Sequence, residues 1–237
     1  MKKTIAFVAV CLLNSTPLKA EEDRLSQSGF FVGAQAGYNY LGTKMDTTSN
    51  TTPNGIQILS VSNKKSKRAH SFTGGVLIGY LREINQRFFA GVDLEGNFDT
   101  IDLKQKFSQN LQDFEYKACR QFNLLPSFII GAQLGERFKL FLKLGFALSS
   151  FEYSVKNNTD NIKITRRLFE VGLAPSLVNE FKINQNFAVL ATATYEFYKK
   201  SKVTFLGTIS PAIPTDNNVL KMRPNNFSLK FGIKYYL

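Results

Sequence analysis

The residues of this chain that could do chemistry are one histidine, two cysteines and a set of carboxylates and lysines spaced two apart among apolar residues. His70 precedes Ser71, and a histidine–serine pair oriented by an acid would suit hydrolysis of lipid esters. Adjacent strand residues point to opposite faces, so the two form no dyad if a strand starts there, and His70 is expected at a loop end in water. One histidine and two cysteines cannot supply a usual zinc set, and no phosphate-loop spacing occurs. No catalytic residue, metal or cofactor is expected, and the chain reads as a non-enzyme.

The charged residues must therefore be placed by the elements that carry them. Asp93 and Glu95 alternate with Val92 and Leu94, and Lys230 and Lys234 alternate with Phe231, Ile233 and Tyr235. Such a strand has one apolar and one polar side. Eight period-2 segments occur: 29–40, 71–81, 88–98, 118–134, 138–153, 165–181, 187–198 and 226–237. In the fourth, Phe122, Leu124, Pro126, Phe128 and Ile130 share one face, with Gln121, Asn123, Ser127 and Gly131 on the other. Proline cannot donate to a ladder, so a bulge or weakened pairing is expected at Pro126.

Short polar connections at 81–87, 135–137 and 182–186 alternate with longer ones near 41–70, 99–117, 154–164 and 199–226. The weak alternation from Ile56 to Val61 is read as part of the first long loop, because one extra strand would break the up-and-down order. Aromatics gather at both strand ends: Phe30, Tyr80, Phe88, Phe138, Phe181, Phe187 and Tyr235 by the short turns, and Tyr38, Tyr40, Phe72, Phe98, Phe122, Tyr195, Phe197 and Phe227 by the long loops. Two aromatic girdles and an even strand count predict an all-β, eight-stranded antiparallel transmembrane barrel.

The chain opens Met1-Lys2-Lys3, runs apolar from Ile5 to Leu13 and reaches Ala20 before Glu21-Glu22-Asp23. That is the pattern of a cleavable signal peptide over 1–20, followed by a short periplasmic segment (21–28) and the barrel (29–237). Val10 precedes Cys11 where lipidation needs a small residue. Cleavage would leave Cys119, expected as a small filler of the upper lumen, and 27 basic against 18 acidic residues, a net +9. An exported chain seldom meets nucleic acid, so the basicity implies a different partner.

The signal peptide, the Glu-Glu-Asp start, the strand Gly29-Phe-Phe-Val-Gly-Ala-Gln-Ala-Gly-Tyr38 and the terminal strand resemble the small outer-membrane proteins of Helicobacter, the Hop and Hor group. That group commonly closes on an aromatic, whereas this chain closes on Leu237. The resemblance implies insertion into the bacterial outer membrane by the assembly machinery through the C-terminal strand.

An eight-stranded barrel is just wide enough to be filled by its own side chains. Asp93, Glu95, Glu170 and Glu196 are expected to meet Lys139, Lys143, Lys230 and Lys234 inside, with Glu196 beside Lys230 or Lys234 and Lys143 beside Glu170. The excess charge falls in the long loops, including Lys64, Lys65, Lys67 and Arg68 in the first and Lys199, Lys200 and Lys202 in the last. Extracellular loops of this kind would face lipopolysaccharide phosphates or an anionic host glycan. The expected function is a structural or surface-interaction, adhesin-like barrel; the alternatives are a small porin or channel and, third, a lipid-modifying enzyme.

Overall fold

A computed structural model describes residues 28–51, 59–109, 112–158, 161–207 and 216–237. The segment read as a signal peptide and residues 21–27 lie outside these. The elements are β1 (Gly29–Thr51), β2 (Leu59–Glu83), β3 (Phe88–Gln109), β4 (Gln112–Gln133), β5 (Phe138–Asn157), β6 (Ile162–Lys182), β7 (Phe187–Tyr198), β8 (Ser201–Gly207) and β9 (Asp216–Tyr236). β1 to β7 pair antiparallel in chain order, and β9 pairs with β7, β8 and β1. Both β7 and β8 lie along β9: Phe197 is opposite Asn225, and Ser201 is opposite Met222. The two are halves of one strand interrupted at Lys199 and Lys200, and the sheet is a closed eight-stranded up-and-down barrel.

Alternation decides which side each residue takes. Phe72 (83% exposed), Phe128, Leu144, Phe169 and Phe231 look outward, while Gln35, Asp93, Glu95, Lys143, Glu196 and Lys230 are buried inside. An apolar exterior around a charged interior is stable only where the outer solvent is hydrocarbon. At the short-turn end Phe30 meets Tyr80 at 5.0 Å and Phe187 meets Tyr235 at 4.9 Å; at the other end Phe98 meets Phe122 at 5.3 Å. These contacts form the two girdles.

The short turns are 84–87, 134–137 and 183–186. Asn85 Oδ1 accepts from the Arg87 and Phe88 amides at 3.0 and 2.9 Å. Asn184 Oδ1 repeats this with Asn186 and Phe187 at 2.9 and 2.8 Å. An asparagine side chain closing its own turn in this way is the reason the chain reverses there.

The long connections are not the loops expected at 41–70, 99–117, 154–164 and 199–226. Pairing runs on to Thr51 opposite Leu59, Gln109 opposite Gln112, Asn157 opposite Ile162 and Gly207 opposite Asp216. Leu59–Val61 belongs to β2, and residues 56–58 lie outside the described residues. A bilayer needs only about 9–11 residues per strand, so the remainder continues beyond the second girdle as two sheet extensions, β8-β9-β1-β2 and β3-β4-β5-β6, since β2 pairs with β3 only from Thr73 and β6 with β7 only from Gly172. Polar strand ends read as loops in a sequence because their apolar alternation fades.

Two corrections follow from irregularities in the ladder. Gln121 is an extra residue: Arg120 is opposite Phe151 while Phe122 is opposite Ser150. This bulge inverts the phase of β4, so that Tyr116, Ala118 and Arg120 turn inward and Gln121 is exposed. Gln121 therefore does not face the lumen, and Cys119 is not a lumen filler. At Pro126 the pairing with β5 is weakened, as expected, without a register shift. Leu124 is opposite Leu148 and Ser127 opposite Gly145, with the ladder interrupted between them, as it also is at Pro175 between Leu173 and Ser176.

Candidate functional site

The lumen is built in layers. At the short-turn end Phe31, Leu77, Leu81, Phe89, Ile129, Phe141, Val178, Leu190 and Tyr236 form one apolar cluster. At the long-strand end Leu41, Ile101, Leu103, Tyr116, Phe151, Tyr153, Val155, Tyr198, Val203 and Met222 form another. Buried charges lie between and among them. Six acids (Asp93, Glu95, Asp99, Glu170, Glu180, Glu196) are matched by six bases (Arg120, Lys139, Lys143, Lys182, Lys230, Lys234) among the described residues.

Lys230, Lys143 and Lys234 reach across the lumen to strands that are not their neighbours, while Lys139 meets Glu180 on the adjacent strand at 4.0 Å. Glu95 receives Lys230, Lys143 at 3.3 Å and the Asn97 amide at 2.8 Å. Lys143 also lies 2.6 Å from Asp93. Lys234 meets Glu180 at 2.6 Å, where Tyr236 also donates at 2.8 Å. Lys234 lies 4.0 Å from the Phe31 ring centre, and Lys139 lies 4.1 Å from that of Phe89. The pairs expected from adjacency are thus replaced. Glu196 binds neither Lys230 nor Lys234, and Lys143 does not reach Glu170, which instead accepts from the Tyr153 hydroxyl.

The reason lies in the register. Glu196 is opposite Asn226, while Lys230 is opposite Thr192; four residues along a strand span roughly 13 Å, beyond direct contact. Lys230 and Lys234 are instead opposite Gly37 and Gly33 on β1. A Cβ at Gly37 would come within 2.6 Å of the Lys230 Cα and 2.0 Å of the Leu229 carbonyl oxygen. The bare β1 backbone lets β9 approach and leaves its lysines free to cross the lumen.

Glu196 belongs to a second network that the sequence concealed. Arg120, 1% exposed, sends Nη1 to Glu196 at 2.6 Å and Nε to Asp99 at 3.1 Å, with Nη2 also on Asp99. Asn226 and Asn123 donate to Glu196 at 2.9 and 3.2 Å, and Tyr198 joins it to Ser149. Arg120 enters the lumen because of the bulge, so regular alternation could not find it.

A cavity of about 20 Å³ beside Glu95 and Lys143 is lined by Gln35 and Asp93, whose Nε2 and Oδ1 are buried without a hydrogen-bond partner. Its size suits about one water molecule. His70 does not sit at a loop end: it lies within β2, stacked on Tyr38 at 5.6 Å and edge-on to Tyr40 at 5.0 Å on the outer wall. The Ser71 Oγ is buried, so no histidine–serine dyad forms. Among the described residues no cluster of three or more His, Cys, Asp or Glu side chains could hold a metal.

Of the basic candidates, Arg68, Lys199, Lys200 and Lys202 are exposed and Lys67 is half-buried; Lys64 and Lys65 lie on β2 opposite Asp46 and Met45. The outer wall of β3 and β4 carries Lys117, 2.8 Å from Asp102, next to Cys119. Burial acts to raise the Asp102 carboxyl, but the Lys117 hydrogen bond prevails and holds it below its ordinary value. The same bond raises Lys117. Burial, then the Asp102 hydrogen bond, pushes the Cys119 thiol up to about 11.

No family model and no curated protein matches this sequence. Solved structures do match in shape. The outer-membrane protease OmpT of Escherichia coli is 10% identical, with 94% of this chain and 100% of that one covered at a TM-score of 0.52. The outer-membrane protein OprG of Pseudomonas aeruginosa is 14% identical over 91% and 100% at 0.49, and neisserial surface protein A is 17% identical over 89% and 98% at 0.41. Taken with the apolar exterior and the closed sheet, this chain has the fold of an outer-membrane β-barrel.

Proposed function

We propose that the protein is a non-conducting bacterial outer-membrane barrel of structural or surface-interaction type, with its short turns in the periplasm and its long strand ends outside the cell. The observation that carries this reading is the contrast between a charge-balanced lumen, capped by two apolar clusters, and unbalanced basic residues on the strand ends. Insertion through the C-terminal strand, as the resemblance to the Hop and Hor group implies, fits the β9 seam. The basic ends, including Lys64, Lys65, Lys67, Arg68, Lys199, Lys200 and Lys202, are the surface for an anionic glycan on a host or neighbouring cell.

A channel would need a continuous wet path, and a lipid-modifying enzyme would need a nucleophile beside a base. Planar-bilayer recording of the purified barrel tests the first point: the expectation is no unitary steps, and reproducible steps would return the porin reading to first place. Binding across a broad glycan panel, lost on neutralising Lys64, Lys65, Lys67 and Arg68, is the outcome expected of an adhesin-like surface. An unbound panel would reduce the function to its membrane role.

A further inference from the structure

The outer wall beyond the second girdle is electrostatically lopsided. Around β3 to β6, carboxylates are interleaved with the cations: Lys117 lies by Asp102 at 2.8 Å, Arg167 by Glu152 at 3.0 Å and Lys106 by Glu115 at 3.8 Å, and Lys156 is opposite Glu115, while Lys104 and Lys163 form no salt bridge among the described residues. Around β8, β9, β1 and β2, Lys202, Lys221, Arg223, Lys44 and Arg68 lie on the outward phase. None of these five has a carboxylate partner among the described residues. The carboxylate in their midst, Asp46, is 3.8 Å from Lys200.

The register sharpens the imbalance. Lys202 is opposite Lys221, and Lys44 is opposite Arg223, in consecutive outward rungs. Like charges directly opposite one another destabilise a sheet. Lys104 opposite Lys117 on the far wall is relieved by Asp102, and Lys156 opposite Lys163 is a single rung near the strand tips. Asp46 is opposite Lys221, so one carboxylate, shared with Lys200, serves two stacked rungs that carry Lys44, Arg223, Lys202 and Lys221, and the remaining positive excess calls for an anion.

Their height says which one. Tyr195, Phe227, Tyr40 and His70 form one rung of the girdle. Arg68 lies two residues above it, Lys44 and Arg223 four, and Lys221 six; at about 3.3 Å per residue and a tilt near 40°, these stand roughly 5 to 15 Å above the girdle. That is the headgroup zone of the surrounding lipid, which the outward phase of the strands faces.

We infer that the outward wall of β8, β9, β1 and β2 binds a phosphorylated glycolipid of the outer leaflet. Its phosphates lie between the Lys44–Arg223 and Lys202–Lys221 rungs, and Arg68 and the His70–Tyr40 shelf engage the part nearest the acyl chains. Guanidinium and ammonium donors at this spacing suit phosphate oxygens. The inference rests on the proposed orientation of the barrel.

The test titrates the folded barrel, in micelles, with diphosphorylated lipid A and with the same glycolipid after removal of its phosphates. The wild type is expected to prefer the phosphorylated form by at least about tenfold, the equivalent of one charge-assisted contact. The K44Q/K202Q/K221Q/R223Q variant should lose that preference. K104Q/K106Q/K156Q/K163Q, with equal charge loss on the opposite wall, should keep it; Arg223→Gln alone gives a milder variant if the quadruple one fails the heat-modifiable mobility check for folding. Equal loss in both quadruple variants, or no phosphate preference in the wild type, overturns the site. Labelling Ser66→Cys in intact cells with an impermeant maleimide tests the orientation separately. Absent labelling with retained micelle binding overturns the orientation and the outer-leaflet occupant, whereas labelling without phosphate preference overturns the site alone.

Discussion

Replacing Arg120 with methionine is the most demanding test of the lumen network. Methionine keeps most of the side-chain length, so packing changes little, but Asp99 and Glu196 lose the guanidinium that bridges them at 3.1 and 2.6 Å. Removing one partner from a buried ionic group costs about 3–5 kcal/mol, because the remaining charges are left uncompensated. Against a typical total stability of about 5–15 kcal/mol, that is a large share. Arg120→Lys should cost less, about 1–3 kcal/mol, since one ammonium cannot span both carboxylates as the planar fork does. The assay is equilibrium urea unfolding in lipid vesicles, read by heat-modifiable gel mobility. In a double-mutant cycle, Arg120→Met combined with Glu196→Gln should recover at least about 1 kcal/mol relative to the sum of the single changes. A loss under about 1 kcal/mol for Arg120→Met, or strict additivity with Glu196→Gln, would refute the claim that this pair holds the lumen together.

Three further outcomes can be checked. Gly37→Ala should destabilise the β1–β9 seam by about 1–3 kcal/mol, because its Cβ has only backbone to meet; a lower midpoint in a mobility-shift melting series would show it. Cys119, with its thiol pushed up to about 11, should react with maleimide far more slowly at neutral pH than an exposed thiol, and speed up as pH rises toward that value, in a stopped labelling time course. The Asp102 carboxyl is held below its ordinary 3.8, so the Lys117 bond contributes stability above that pH and loses it as pH falls through the depressed value. Hydrogen exchange at the β3–β4 ends should therefore rise on acidification in the wild type, and less so in Asp102→Asn.

Period-2 alternation was enough to place the lipid-facing side of the eight strands, apart from the part of the fourth that precedes Phe122, because a one-residue slip would drive charges such as Asp93 and Glu95 into hydrocarbon. Both girdles were equally legible. The pairing inside was not, since register and side-chain reach decide it: Lys230 crosses to Glu95 on β3, 135 residues earlier in the chain. Arg120 was hidden by a single extra residue, as Phe122-Gln121-Arg120-Cys119 fits either phase until Gln121 is known to bulge. Asp99 and Lys182 were hidden differently. Each lies at the end of its apolar alternation, and a polar residue there reads as the start of a connection.

The lysines of β9 also bear on the order in which the barrel can be made. Lys230 and Lys234 neutralise Glu95 and Glu180, which β3 and β6 supply much earlier. A sheet that has advanced only to β7 is an open trough with an excess of negative charge along its inner surface, and hydrocarbon cannot flow across it. Closure against β1 then delivers the counter-ions and the last ladder together, so the final strand behaves as a clasp whose engagement is cooperative. A chain truncated before β9 should stall as a surface-bound, water-facing intermediate, with loss of the two lysines counting for as much as loss of the hydrogen bonds.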